Sequence, residues 1–193
     1  MGSAAGSRPT PRKLGNQRDS IGRPVEEVPT TLIPGSGISS GSGTLYRASV
    51  VREGDLIRTE ILIDLTGLQS STTDLDIIGT GAGAAHIGQI TAAVNGTIMG
   101  GTVLCLEAPA TGVTDIDLYA ATVGTGVFDG GIAALVETAV VTSGAAWTLG
   151  RMVGTVADGV AADAYLYLCG GAAGTVGTYT AGRLLITLYG RPV

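Results

Sequence analysis

The sequence predicts an all-β protein, an antiparallel sandwich or barrel carrying an extended N-terminal arm, and three observations lead there. Short apolar runs, several of them alternating with polar residues, recur along most of the chain, the period of a half-buried strand. The runs are separated by turn residues, and glycine alone supplies 32 of the 193 positions. No segment offers ten residues of 3.6 periodicity between caps, so helices are not expected. Eight to ten short strands with such turns fit a closed or two-layered antiparallel architecture.

In chain order, residues 1–30 read as an extended arm, too rich in Gly, Pro, Ser and Arg to order itself. Residues 31–43, TLIPGSGISSGSG, read as a linker, because Pro34 and the glycines that follow break either regular structure. The first strand pair is 44–51 and 55–65, a hairpin around Glu53-Gly54. In the second run Ile57, Thr59, Ile61, Ile63 and Leu65 share the face expected to be buried. Further strands are expected at 74–78, 86–94, 97–107, 115–121, 135–141, 147–156, 164–170 and 182–190. Asn95-Gly96 between two apolar runs is a strong hairpin signal, since both turn residues take positive φ. Glycines inside strands (Gly88, Gly100, Gly101, Gly150, Gly154) point to bulges or close backbone approach. The expected organisation is an arm and linker over 1–43 and a β-sandwich domain over 44–193. That length suffices to close a hydrophobic core. Cys105 and Cys169 are too few for a disulfide scaffold and read as reduced core residues.

Charge divides the chain. Residues 1–23 carry Arg8, Arg12, Lys13, Arg18 and Arg23 against Asp19 alone, whereas residues 59–150 hold nine acids and no Lys or Arg. The chain reads as a basic arm on an acidic body, with a formal net charge of −5. Such an arm can dock on an acidic protein surface or release counterions from nucleic acid. It has no aromatic residue to stack on bases, which argues against single strands. If ordered, it is expected to be held by another molecule or another copy. No apolar run reaches eighteen residues, so no spanning helix is expected. No charged-then-apolar leader opens the sequence, so Sec export is not expected, and Gly6 stands where a myristoylation signal wants Ser or Thr.

The chemical motifs are weak. Gly79, Gly81 and Ala84 fit a G-x-G-x-x-A pattern, but a dinucleotide site needs a helix to start there and an acid about twenty residues on, and neither is indicated. The expectation is a strand-to-strand loop and no cofactor. Asp74, Asp76, Asp115, Asp117 and Asp129 offer oxygen ligands for a hard cation, but solvent-facing strand ends are the favoured reading, and no metal is assigned. His86 is the sole histidine, no Gly-x-Ser-x-Gly elbow occurs, and Lys13 is the sole lysine, so no enzyme is expected. Carboxylate pairs suit glycosidases, yet the aromatics that line sugar sites are scarce at 4 %. Tyr165, Tyr167, Tyr179 and Tyr189 read as a subunit interface or, equally, as core packing.

The strings EILIDLTGL (60–68), DLDIIG (74–79), DIDLYAA (115–121), ETAVVTSGAAWTLG (137–150) and GTYTAGRLLITLYG (177–190) resemble a group of structural proteins encoded by tailed bacteriophages. The similarity covers roughly residues 44–190 and carries no catalytic motif. It implies a virion protein made in the host cytoplasm and placed on the capsid exterior. More specifically, it implies a head decoration (cement) protein with a jelly-roll-like body, assembled as a homotrimer on the major capsid protein. The arm lies outside the similar region. Its basic residues Arg8, Arg12, Lys13, Arg18 and Arg23 are the expected capsid contacts, since arginine pairs bidentately with carboxylates. The alternatives are a head- or tail-fibre component anchored by its N-terminus and a host-surface carbohydrate-binding module. No membrane partner is expected, and the missing aromatics argue against nucleic acid.

Overall fold

The computed structural model describes residues 12–18 and 24–28 as backbone, and 32–39, 45–155, 160–174 and 176–193 in full. A seven-stranded sheet contains β1 (Arg12–Arg18), β2 (Pro24–Val28), β3 (Tyr46–Glu53), β4 (Leu56–Asp64), β7 (Thr97–Ala110), β10 (Met152–Gly154) and β13 (Ala181–Arg191). Its spatial order is β1-β2-β3-β4-β13-β7-β10. A four-stranded sheet contains β6 (Gly88–Gln89), β8 (Ile116–Ala121), β9 (Glu137–Val141) and β11 (Tyr165–Gly170), in the order β6-β11-β8-β9. β5 (Gln69–Ser70) and β12 (Gly177–Thr178) form a separate pair. All these strand pairings are antiparallel, and the fold is the expected all-β sandwich.

The large sheet follows its sequence pattern. Gly54, at φ 63°, and Asp55 turn β3 into β4, with Glu53 opposite Leu56. Along β4, Ile57, Thr59, Ile61 and Ile63 are buried and their neighbours Leu56, Arg58, Glu60 and Leu62 only half so. β13 lies in the middle, pairing with β4 and β7, so the last strand of the chain closes the sheet. Its inward Leu184, Ile186 and Leu188 join Ile61, Ile63 and Val103 from the same sheet, and Leu118, Val140, Leu166 and Leu168 from the other, in one core. Each such aliphatic side chain contributes about 1.5–3 kcal/mol by leaving water.

The small sheet departs from simple alternation. β8 and β11 are buried on both faces. Residues 122–136 lie over the outward face of β11. The Tyr167 hydroxyl donates to the Val123 carbonyl (2.8 Å) and accepts from the Gly126 amide (3.2 Å). Ile77 bridges Cys169 at the edge of β11, and Ile78 and Ile87 donate their amides to Leu168 and Leu166.

Several expected elements take other forms. Residues 74–78 form turns and isolated bridges rather than a strand. The expected strand 86–94 shrinks to β6 followed by one helical turn, α2 (Ala92–Asn95), and Asn95-Gly96 ends that turn rather than making a hairpin. The reason is burial of the asparagine: its amide donates to Thr59 Oγ1 (2.9 Å), and its carbonyl oxygen accepts from the Thr91 amide (2.9 Å). Gly96, at φ 68°, sits where a Cβ would meet the Arg191 carbonyl. Of the expected strand 147–156, whose last residue lies outside the described residues, the described part forms a strand at β10 only, and Trp147 is buried with its indole donating to the Ile116 carbonyl (2.7 Å).

The N-terminal region also differs in detail. Within the expected extended arm, β1 and β2 pair with each other, and β2 pairs with β3. Within the expected linker, a short helical turn, α1 (Ser36–Ser39), packs on the body, and Leu32 and Ile38 enter the core. Gly37 and Gly83 make this approach close: the Gly37 amide donates to the Ala84 carbonyl (2.8 Å), and a Cβ on Gly37 would collide with the Gly83 carbonyl.

Candidate interaction surface

Strand register lays out the outward face of the large sheet row by row. Arg47, Leu62, Leu185, Leu104 and Met152 stand side by side across β3, β4, β13, β7 and β10. The next row holds Ser49, Glu60, Thr187, Thr102 and Gly154. At the β3 side, a groove of about 590 Å³ is lined by Arg47, Ser49, Glu60, Leu62 and Leu185. Arg58 and Glu60 form a half-exposed ion pair (3.1 Å), of the kind that contributes little to stability.

One end of this face is fixed by a carboxylate. Asp64 is buried and accepts from the Thr66 amide (3.0 Å), the Thr66 hydroxyl (2.7 Å) and Arg183 Nη2 (2.8 Å). Burial pushes its carboxyl upward, but the hydrogen bonds from Thr66 and Arg183, with the guanidinium charge, outweigh this and hold it below the usual range. Arg183 also lies 3.7 Å from Glu107.

The basic arm residues reach the far edge of the same sheet. Arg12, Lys13 and Arg18 lie on β1, the outermost strand, where Arg12 is opposite Glu27 and Lys13 opposite Glu26. Arg8 and Arg23 lie outside the described residues. The acidic partners are legible in the string VEEVP, but their register follows only from the hairpin.

The tyrosine group divides, and the core-packing alternative holds for two of its four members. Tyr167 and Tyr179 are fully buried, and Tyr179 donates to the Val113 carbonyl (2.8 Å). Tyr165 is half-buried, and only Tyr189, at the end of β13, is exposed. A buried phenol needs an acceptor, and for Tyr167 and Tyr179 loop carbonyls supply it. The sequence leaves the choice between core and interface open because those loops come from elsewhere in the chain.

Of the residues singled out for chemistry, His86 packs against Tyr165 with the rings tilted by 59° and their centroids 5.0 Å apart, and has a buried Nδ1 without a hydrogen-bond partner. Burial pushes its pKa down. Asp76 accepts from Ser71 (2.8 Å) and Asp117 from the Ser143 amide (2.6 Å), both buried rather than facing solvent. Burial raises the Asp117 carboxyl, and the neighbouring Asp115 and Asp74 add to the effect. Among the described residues, no group of three or more His, Cys, Asp or Glu is placed to hold a metal ion. Cys105 and Cys169 are buried free thiols. The loop 79–87 carries the G-x-G-x-x-A residues, and Gly79 and Gly83 serve there as close contacts for Ala85 and for α1. Among the described residues, no helix is long and apolar enough to cross a membrane.

No protein-family model, curated protein or solved structure matches the chain. The outward face of the large sheet is open along the described residues and carries a groove of mixed lining.

Proposed function

We propose that the protein is a non-enzymatic decoration (cement) protein of tailed-bacteriophage heads, which binds the assembled major capsid protein and stabilises the shell from outside. The observation that carries this reading is strand order. The orders β4-β13-β7-β10 and β6-β11-β8-β9, with the chain changing sheet at each step except β8 to β9, support a jelly-roll reading of the body. That architecture serves viral capsid and lectin domains. The resemblance of the phrases at 60–68, 74–79, 115–121, 137–150 and 177–190 to phage structural proteins favours the first. A lectin is the second reading, motivated by the groove at Arg47 and Glu60, but the groove has no aromatic lining.

In this reading the hairpin β1–β2 presents basic residues at the sheet edge to shell carboxylates. A protein that binds only the assembled shell stabilises it by mass action, and a trimer multiplies weak contacts by avidity. The test is co-sedimentation with expanded shells of the major capsid protein from the same genome. The full chain should pellet with expanded shells, and replacing Arg8, Arg12, Lys13, Arg18 and Arg23 by Gln should abolish pelleting while leaving the melting temperature of the body in place. Undiminished binding of that variant would remove the arm from the mechanism. Failure of the full chain to bind, with selective retention on a glycan array, would favour the lectin.

A further inference from the structure

Asn95-Gly96 is the only Asn-Gly pair in the chain, and the fold uses it for something other than a hairpin. In an unstructured chain such a pair is chemically reactive, because glycine has no side chain to hinder attack by its own backbone nitrogen on the preceding side chain. Here both residues are buried, Asn95 completely. The side-chain amide is held at both ends. Nδ2 donates to Thr59 Oγ1 on β4, and Oδ1 accepts from the Thr91 amide, at 2.9 Å each. The Gly96 amide, whose nitrogen is the attacking atom, donates to the Ala92 carbonyl (3.1 Å). The end of β13 closes the remaining side: a Cβ on Gly96 would collide with the Arg191 carbonyl, and one on Gly190 with the Asn95 carbonyl.

The seal is thin. α2 is a single turn, and Ala93 and Thr97, close on either side of the pair, are exposed. The turn packs on β4 and β13, and Val94 is its one side chain at the margin of the core. Lifting it therefore breaks the few bonds above and withdraws one apolar side chain, while the two sheets stay paired. Small units of this kind open far more often than the whole fold.

We propose that Asn95-Gly96 is a fold-gated modification site, at which water deamidates the chain only while α2 is lifted, and whose product cannot close again. In the open turn the Gly96 nitrogen gives up its proton and bonds to Asn95 Cγ, and the Cγ–Nδ2 bond breaks to release ammonia. Water then opens the cyclic imide at either carbonyl, leaving aspartate or isoaspartate at position 95. One water is consumed and one ammonia released, with no oxidant or reductant. Either product is excluded from the closed site. A carboxylate would stand where its polar partners, the Thr59 hydroxyl and the Thr91 amide, are neutral and no solvent reaches. Isoaspartate also adds a carbon to the backbone where β13 leaves no room for a Cβ. The pair thus records, in one direction only, how long the turn has been open. The inference does not rest on the decoration reading.

The experiment follows position 95 by peptide mass spectrometry while the full chain is kept at pH 8, folded in buffer or unfolded in urea. Conversion should be about 100-fold or more slower in the folded protein, the bonds that opening breaks setting the ratio. Thr59→Val, which removes the acceptor of Nδ2 but keeps the shape of the side chain, should speed conversion in the folded protein about tenfold. Leu185→Ala, on the outer face of the sheet, should leave it unchanged. Equal rates in the folded and unfolded wild type would overturn the gate. Equal acceleration by Thr59→Val and Leu185→Ala would overturn the local opening, because the site would then open only with the whole fold. Wild type aged in urea is finally diluted to refold, and the folded fraction is isolated by gel filtration. That fraction should carry asparagine alone at position 95. Aspartate or isoaspartate there, in the proportion of the whole mixture, would overturn the claim that the product cannot close.

Discussion

The two sheets of this sandwich bury the same inward face and treat the outward face in opposite ways. The large sheet leaves β4 and β13 half-exposed along Arg58, Glu60, Leu62 and Leu185, whereas β8 and β11 are buried on both sides beneath residues 122–136. Antiparallel sheets commonly keep one solvated face. Here only one of the two has it, and so the large sheet is the one that can meet a partner over an extended area. The four-stranded sheet is covered on its outward side by its own loops.

The largest effect that tests this contrast is on stability. Tyr167→Ala, on the sealed side, should cost about 3–5 kcal/mol, because it opens a cavity and strips the loop of two hydrogen bonds. Leu185→Ala, on the open side, should cost about 1 kcal/mol. Urea denaturation of both variants measures the difference, and equal losses would mean that the two outer faces are equivalent. Next in size is Gly37→Ala, which should cost about 1–3 kcal/mol by forcing α1 away from the Gly83 carbonyl. An unchanged urea midpoint would show that α1 is not packed on the loop as described.

A smaller effect has the opposite sign. Val136, 70 % exposed at the end of the 3-10 turn Ile132–Leu135, holds φ 56°, a left-handed conformation that is costly for a β-branched residue. Val136→Gly should stabilise by about 0.5–1 kcal/mol, strain relief being partly offset by the entropy of glycine. The smallest effect concerns pH. The His86 pKa is lowered in the fold, so its contribution is complete above the unfolded value of about 6.5 and is lost as pH falls through the folded value. Melting curves of the wild type should decline below that pH, and His86→Phe, which keeps the ring against Tyr165, should flatten the decline.

The contrast between the sheets also explains what could be read in advance. β3, β4, β7 and β13 were legible because one face meets the core and one meets water, which writes period two into the sequence. β8 and β11 are also legible as strands, but double burial leaves no exposed face against which to tell which residues turn inward. The sequence therefore leaves Tyr167 and Tyr179 equally open to an interface or to the core, and loops distant in sequence bury them. Asn95-Gly96 misled for a similar reason: a local turn signal was overridden by a long-range bond from Asn95 to Thr59. The basic arm was plain from composition, but not its hairpin against Glu26 and Glu27.

A native thiol gives the most direct test of the claim that one outward face is sealed and the other open. Cys169 lies on β11 in line with Tyr167, fully buried although it is on the outward side. Maleimide labelling at pH 8, read by peptide mass spectrometry, should be compared between Cys169 and a cysteine introduced by Ser49→Cys on the large sheet. The introduced thiol should react at close to its rate in the unfolded chain, and Cys169 only as the protein unfolds in urea. Comparable labelling of both in the native protein would contradict the account, because the small sheet would then be as open as the large one.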